Sequence, residues 1–362
     1  MKLLYVTDIN TTLTEIYLVS DMIKAQSQFD EVCWVNLQGN VNSILVDVTI
    51  PCFFGEKCKR IHLSTIEKEF GIPDLVIFHN YTDNLLFLSL IYELIDNSIP
   101  YIIASKGSVH IDKVIHNIYS NYLKEQLEFK KMFFNRALAI QHLSEQNQLS
   151  SDVSNSSLII PNSIKRKPYI KRNYKNSINA LFVGNSSDKN DLDLVLNAIG
   201  KIRSELRKKN FHFTIYTDTS NQDNRNIQMT YIIDRDKLFD IVKIVPTVYG
   251  KEKLKVLKQS DLAILVSRNE ETDLLLLNYL SYSLPVFITN KSNLSKEVEN
   301  YGAGYCCYEK NMEFKLLQMV NNFENEHEFM NKNAHRLSLN YDCNIIAERT
   351  HIEYEKILKK RE

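Results

Sequence analysis

Short aliphatic runs separated by longer mixed stretches recur along the whole chain. Lys2–Thr7 (KLLYVT), residues 74–79 (DLVIFH) and Tyr101–Ala104 (YIIA) read as strands buried on both faces. Leu13–Gln26 and residues 84–96 carry helical patterns between them, and 31–37 and 43–49 are further strand candidates. A long helix is predicted over 114–137, and 139–143 and 158–160 are the last strands of this half. Pro161-Asn162-Ser163 breaks the pattern, and residues 165–176 (KRKPYIKRNYKN) are basic with little that packs, which reads as a linker. The alternation then restarts, with strands at Ile178–Val183, 212–217, 231–233 and 241–245 and helices at 191–208 and 251–258.

The stretch 261–290 (DLAILVSRNEETDLLLLNYLSYSLPVFITN) is the clearest unit in the chain. Residues 263–266 form an aliphatic strand, 267–273 a polar loop, 274–282 a leucine-rich helix expected to be buried all round, and 285–289 a second strand. Residues 301–308 (YGAGYCCY) read as a glycine-loosened turn and a short strand, and helices close the chain, one of them over 344–359. Alternation of this kind predicts an α/β protein of two Rossmann-like domains, each an open and mainly parallel sheet, with a cleft between them. Such sheets bind ligands beyond the carboxyl ends of their strands, so the 267–273 loop is the first candidate site.

Composition narrows the function by exclusion. Lys+Arg and Asp+Glu both total 44 in 362 residues, so no global charge points to nucleic acid. The cysteines, Cys33, Cys52, Cys58, Cys306, Cys307 and Cys343, form no C-x-x-C pair, which argues against a zinc site or disulfide framework and for a reducing cytoplasm. Residues 1–6 run straight into a strand pattern rather than a secretory leader, and no apolar stretch reaches the roughly 18 residues of a spanning helix. Walker A, G-x-S-x-G and H-E-x-x-H patterns are absent. The triplets Asp191-Leu-Asp193 and Asp234-Arg-Asp236 read as structural, and His79 likewise, so no metal site is expected.

Eight segments stand in order along the chain: residues 99–109 (IPYIIASKGSV), His142-Leu-Ser-Glu145, Ile160-Pro-Asn-Ser-Ile164, Leu181-Phe-Val-Gly184, 248–265, Ser267-Arg268-Asn269-Glu270, Leu284-Pro-Val286 and the closing helix 344–358. Together they resemble the retaining glycosyltransferases of the GT-B fold, family 4. The resemblance implies transfer of a sugar from a nucleotide-sugar to a bacterial surface polysaccharide or lipid-linked saccharide, with retention, without metal and with no resident cofactor. It implies an acceptor-side domain over 1–164, a basic linker over 165–176, a donor domain over 177–340, and a terminal helix over 341–362 packing back on the first domain. By the same resemblance Glu270 lies near the transferred sugar and Asn278, eight positions on, meets the ribose. Gly184, Asn185, Lys189, Arg268, Asp273 and Leu274 line the donor site, where lysine and helix N-terminal amides hold the diphosphate. His110 stands for a strand-end catalytic histidine, Lys106 for a phosphate or acceptor contact, and Asn10 and Thr11 for the glycine-rich loop near the acceptor.

The chain departs from that pattern where charge matters. Asn278 replaces the second glutamate, Asn185 stands at an arginine position, and Glu271 and Asp273 add negative charge beside the expected phosphates. A second reading therefore stays open, a GT-B protein retained as a non-catalytic partner or co-activator subunit. The helix 114–137 sets Lys124, Lys130, Lys131 and Arg136 beside Tyr122, Phe129, Phe133 and Phe134. That mix suits an anionic membrane surface at the inner face of the membrane, or a domain helix with a solvated basic side.

Overall fold

The computed structural model describes residues 1–7, 13–36, 50, 52–54, 62–79, 86–105, 121–184, 191–217, 224–266 and 273–360. The chain divides into two compact units, Met1–Lys165 with Asp342–Glu362, and Arg166–Tyr341.

In the first unit the aliphatic runs form β1 (Lys2–Thr7), β2 (Glu31–Asn36), β3 (Cys52–Phe54), β4 (Leu75–His79), β5 (Tyr101–Ala104), β6 (Ala139–His142) and β7 (Ser157–Ile159). They make one parallel sheet in the order β3-β2-β1-β4-β5-β6-β7. The intervening helices are α1 (Leu13–Gln26), α2 (Leu63–Glu69), α3 (Leu86–Asp96), α4 (Asn121–Arg136) and α5 (Glu145–Leu149). Alternate residues of each strand feed separate cores on the two faces, as the period of two requires. One face joins Leu4, Val76, Phe78 and Ile103 to Leu90, Ile91, Phe133 and Phe134. The other joins Leu3, Tyr5, Trp34 and Ile77 to Ile23 and to Ile346, Tyr354 and Ile357 of the terminal helix α13 (Cys343–Lys359). Helix α4 thus spends Phe133 and Phe134 on the core, with Phe129 packed against it, so these aromatics do not face outward. The predicted strand over 43–49 and the amino end of the 114–137 helix lie outside the described residues.

The second unit repeats the plan with β8 (Ile178–Val183), β9 (Phe211–Thr217), β10 (Val242–Pro246), β11 (Leu262–Leu265), β12 (Val286–Thr289) and β13 (Gly304–Cys307), in the order β10-β9-β8-β11-β12-β13. Its helices are α6 (Leu192–Lys201), α7 (Arg203–Lys208), α8 (Asn224–Asp236), α9 (Gly250–Gln259), α10 (Asp273–Ser281), α11 (Ser295–Tyr301) and α12 (Met312–Leu339). The glycines of 301–308 have distinct duties. Gly302 ends α11 in the left-handed region at φ 63°, and a Cβ on Gly304 would stand 1.9 Å from the carbonyl oxygen of Val286.

Three sequence expectations are corrected here. Residues 231–233 are helical, within α8, where Met229, Ile232 and Ile233 are buried at helical spacing while Tyr231 is exposed. The helix predicted over 191–208 is broken at Ile202 into α6 and α7. Helix α10 is not buried all round: Leu276, Leu277, Tyr279 and Leu280 are buried, but Leu274, Leu275 and Asn278 are only partly covered.

The basic run at the junction is also anchored rather than solvated throughout. Arg172 is 7% exposed, and its guanidinium donates to the carbonyls of Leu257, Lys258 and Ser260 at the end of α9 and of Tyr282 and Ser283 after α10. One cation thereby serves the negative ends of two helix dipoles. Burial pushes its pKa down to about 10, the Asp261 carboxylate opposing that shift.

Candidate functional site

In the second sheet the strand order reverses between β8 and β11, which makes their carboxyl ends the crevice where a ligand fits. The two stretches singled out from sequence leave from these ends: 185–190 follows Gly184 after β8, and 267–272 follows Val266 after β11. Both stretches lie outside the described residues, and with them Asn185, Lys189, Arg268 and Glu270. Their bases are described. Gly184 donates its N–H to the carbonyl of Tyr216 on β9 at 3.1 Å. Asp191, where the first stretch returns, donates its N–H to the carbonyl of Val266, where the second departs, at 3.1 Å. Helix α10, which the second stretch enters, sends the Tyr279 hydroxyl back to Val183: it accepts from the Val183 N–H at 2.8 Å and donates to the Val183 carbonyl at 3.2 Å. Strand β8, the first stretch, the Val266 junction, the second stretch and α10 therefore close a ring fastened at two points.

Asp273 opens α10, Leu274 follows it, and Asn278 lies one turn further along the same partly covered stripe. Because the sheet is parallel, α9 and α10 both begin at its carboxyl edge, where unpaired helix N–H groups favour an anion. Two more polar side chains stand on this edge. Thr217, the last residue of β9, has a buried hydroxyl without a partner among the described residues. Lys253, in the first turns of α9, is half-buried with no ion pair among the described residues, and burial lowers its pKa from the ordinary lysine value. Sequence reading passed over Tyr279, Thr217 and Lys253. A lone hydroxyl-bearing ring in a leucine-rich helix was the available signal for Tyr279, whereas nothing sets Lys253 apart from its neighbours in GKEKLKVLKQ.

In the first unit the order reverses between β1 and β4. Asn10 and Thr11 follow β1, and Lys106 and His110 follow β5; all four lie outside the described residues. His79 ends β4 with its ring stacked on Tyr5 at 5.6 Å, in keeping with a structural role. His142, at the end of β6, is 0% exposed with neither ring nitrogen hydrogen-bonded to a described residue, and burial lowers its pKa. Of the aspartate triplets, Asp236 pairs with Arg235 at 2.7 Å, and that hydrogen bond holds its carboxyl below the ordinary range. Among the described residues no group of three or more His, Cys, Asp or Glu side chains is arranged to hold a metal ion, and no helix is long and apolar enough to cross a membrane.

The sequence model of the family described as glycosyl transferases group 1 matches residues 163–336, nearly the whole second unit. That unit is a group 1 glycosyl transferase domain. The chain resembles a Rickettsia africae glycosyltransferase with a TM-score of 0.74 at 14% identity, over 99% of this chain and 98% of that one. An Anabaena protein, HepE, solved with UDP and glucose, is similar at a TM-score of 0.71 and 13% identity over 98% of this chain and all 100% of its own. The pneumococcal O-GlcNAc transferase GtfA, solved with UDP and GlcNAc, gives 0.66 at 10% identity over 99% of each chain. Likeness at these identities establishes the fold, and that fold is GT-B over both units. No curated protein matches the chain in sequence.

Proposed function

We propose that the protein transfers a sugar from a nucleoside diphosphate sugar to a saccharide acceptor, with retention and without a metal or resident cofactor. The observation that carries this reading is the fastened ring at the β8/β11 reversal within a group 1 domain. The UDP and sugars bound by the Anabaena and pneumococcal proteins of the same fold support it. In this reading Glu270 orients the donor sugar and Asn278 hydrogen-bonds the ribose. Lys189 and the amide groups opening α10 meet the diphosphate, whose charge grows as the sugar leaves. Lys253, a cation on the same edge with no ion pair among the described residues, joins them. The acceptor, a surface polysaccharide or lipid-linked saccharide, approaches the first unit near Asn10, Thr11, Lys106 and His110, on the cytoplasmic side. Any contact of α4 with an anionic membrane is electrostatic, through Lys130, Lys131 and Arg136, since its aromatics at 129, 133 and 134 serve the core.

The second reading, a non-catalytic partner, is favoured by Asn278 in place of a carboxylate. A panel of UDP, GDP, ADP, CDP and dTDP separates the two. At about 100 times its Kd the fitting nucleotide adds about 2.7 kcal/mol of stability, which appears as a raised melting temperature. Glu270→Ala is expected to keep that shift and to lose transfer of the sugar. A flat response across the panel would favour the partner reading, and full transfer by Glu270→Ala would remove Glu270 from the reaction.

A further inference from the structure

The ladder between β8 and β11 ends early. Its last pair is Leu181 with Ala263, whereas β8 runs on to Val183 and β11 to Leu265. On their outer sides both strands stay paired to the end, Val183 with Tyr216 and Leu265 with Ile288. The sheet therefore opens along one seam only, the seam where its order reverses. In a parallel strand the N–H and C=O of one residue point to the same side. Gly184 sends its N–H to β9, so Val183 faces the seam that β11 has left. Both of its backbone groups would be buried there without partners, at a cost of the kind that folded chains avoid. The Tyr279 hydroxyl takes both.

We propose that Tyr279 is a positioning residue of the nucleotide-sugar site, its hydroxyl standing in for the missing β8/β11 ladder and holding the opening turns of α10 at a fixed height against Gly184. This rests on the donor-site reading above. Three things distinguish the hydroxyl from a filler of the core. Tyr279 is 0% exposed in a helix whose other buried residues from Leu276 to Leu280 are leucines, so an apolar side chain would fill the volume equally well. Its two hydrogen bonds end on the residue just before Gly184, where the first stretch departs. Asn278 precedes it directly, so any shift of the ring against β8 displaces the residue assigned to the ribose.

Titration of the wild type with the panel of nucleoside diphosphates, UDP first, followed by the same titration of Tyr279→Phe, tests the proposal. The phenylalanine ring keeps the packing and loses the fastening. The expected result is a Kd raised about five- to tenfold, the scale of a lost hydrogen bond or two. A hydroxyl that only stabilises the fold lowers the melting temperature of free and bound protein alike and leaves Kd unchanged; that outcome overturns the proposal while the donor site stands. Should Tyr279→Phe not fold, amide exchange in the wild type decides. A fastening that favours binding must be strengthened by the bound nucleotide, so exchange at Val183 is expected to slow on its addition. Unaltered exchange at Val183 with nucleotide bound overturns the proposal. A wild type that binds none of the panel overturns the donor-site reading and this proposal together.

Discussion

Arg172 shows how much one side chain from an apparently dispensable segment can carry. Its guanidinium is buried without a carboxylate in contact, satisfied by the carbonyls that close α9 and follow α10. Arginine suits such a place because its planar fork serves several acceptors at once and its hydration is weak. Arg172→Met removes the cation and strands those carbonyls, and is expected to lower stability by at least about 3 kcal/mol in urea unfolding. Arg172→Lys should recover only part of that loss, since an ammonium cannot span both helix ends. The buried imidazole of His142 makes a different demand. Its pKa is lowered from 6.5 by burial, so the folded protein keeps it neutral where the unfolded chain takes up a proton. Its contribution is complete above that value and is lost as pH falls from about 6.5 toward the lower folded value. His335 is lowered by burial and by Arg166 and has the same sign. Asp236, Asp240 and Glu328 have lowered pKa values and lose their contributions at more acid pH, below the ordinary carboxylate range. Urea midpoints compared between pH 7 and pH 5.5 should therefore fall less in His142→Gln than in the wild type; equal slopes would mean that the imidazole is charged in the fold.

At the scale of elements, legibility depended on whether a segment's partners lie within its own pattern. Strands buried on both faces, such as Leu75–His79 and Tyr101–Ala104, announce themselves as unbroken aliphatic runs, and the alternation around them fixed the class of fold. Residues 231–233 misled because a short Tyr-Ile-Ile run looks like a strand; the neighbouring Met229 and the helical spacing with Ile232 and Ile233 were the better guide. Arg172 was illegible because its partners are backbone carbonyls distant in sequence, which no pattern of side chains displays. For the same reason Tyr279 passed as one more apolar position in α10. The site residues were named from motif order, and the described residues supply the bases of their stretches and the places of Gly184, Leu274 and Asn278. The terminal helix offers a test at this scale. Asp342 caps α13 by accepting from the Asn344 N–H at 2.9 Å, and the Cys343 N–H bonds to Ile164 of the same unit at 3.2 Å. With Ile346, Tyr354 and Ile357 in the core, α13 is a structural part of the first unit. Asp342→Ala should cost about 1 kcal/mol in the unfolding of that unit, without changing nucleotide affinity.

Across the whole molecule, two sheets with the same strand logic are built from unrelated-looking segments. Each has its reversal next to its first strand, β1 beside β4 and β8 beside β11. The group 1 match is confined to residues 163–336, while the likeness in fold extends over both units. The half of the chain that handles the nucleotide in the proposed reaction is thus the half whose sequence is still recognisable. The half assigned to the acceptor keeps only its architecture. Such a division is what a family sharing donors and differing in acceptors would leave behind.

The fastened ring of the second unit has a bearing on how such chains diverge. Because Gly184, Asp191 and Val266 are tied by backbone groups, and Tyr279 ties to the backbone of Val183, the frame rests on no side chain other than that of Tyr279. Substitutions that exchange or remove charge in 185–190 or 267–272 therefore leave the backbone groups that tie their entry and exit points unchanged. The frame acts as a socket. A protein built this way can lose an arginine or a glutamate, as this one has relative to the family it resembles, and keep the same flanking points, Gly184, Asp191 and Val266, tied together.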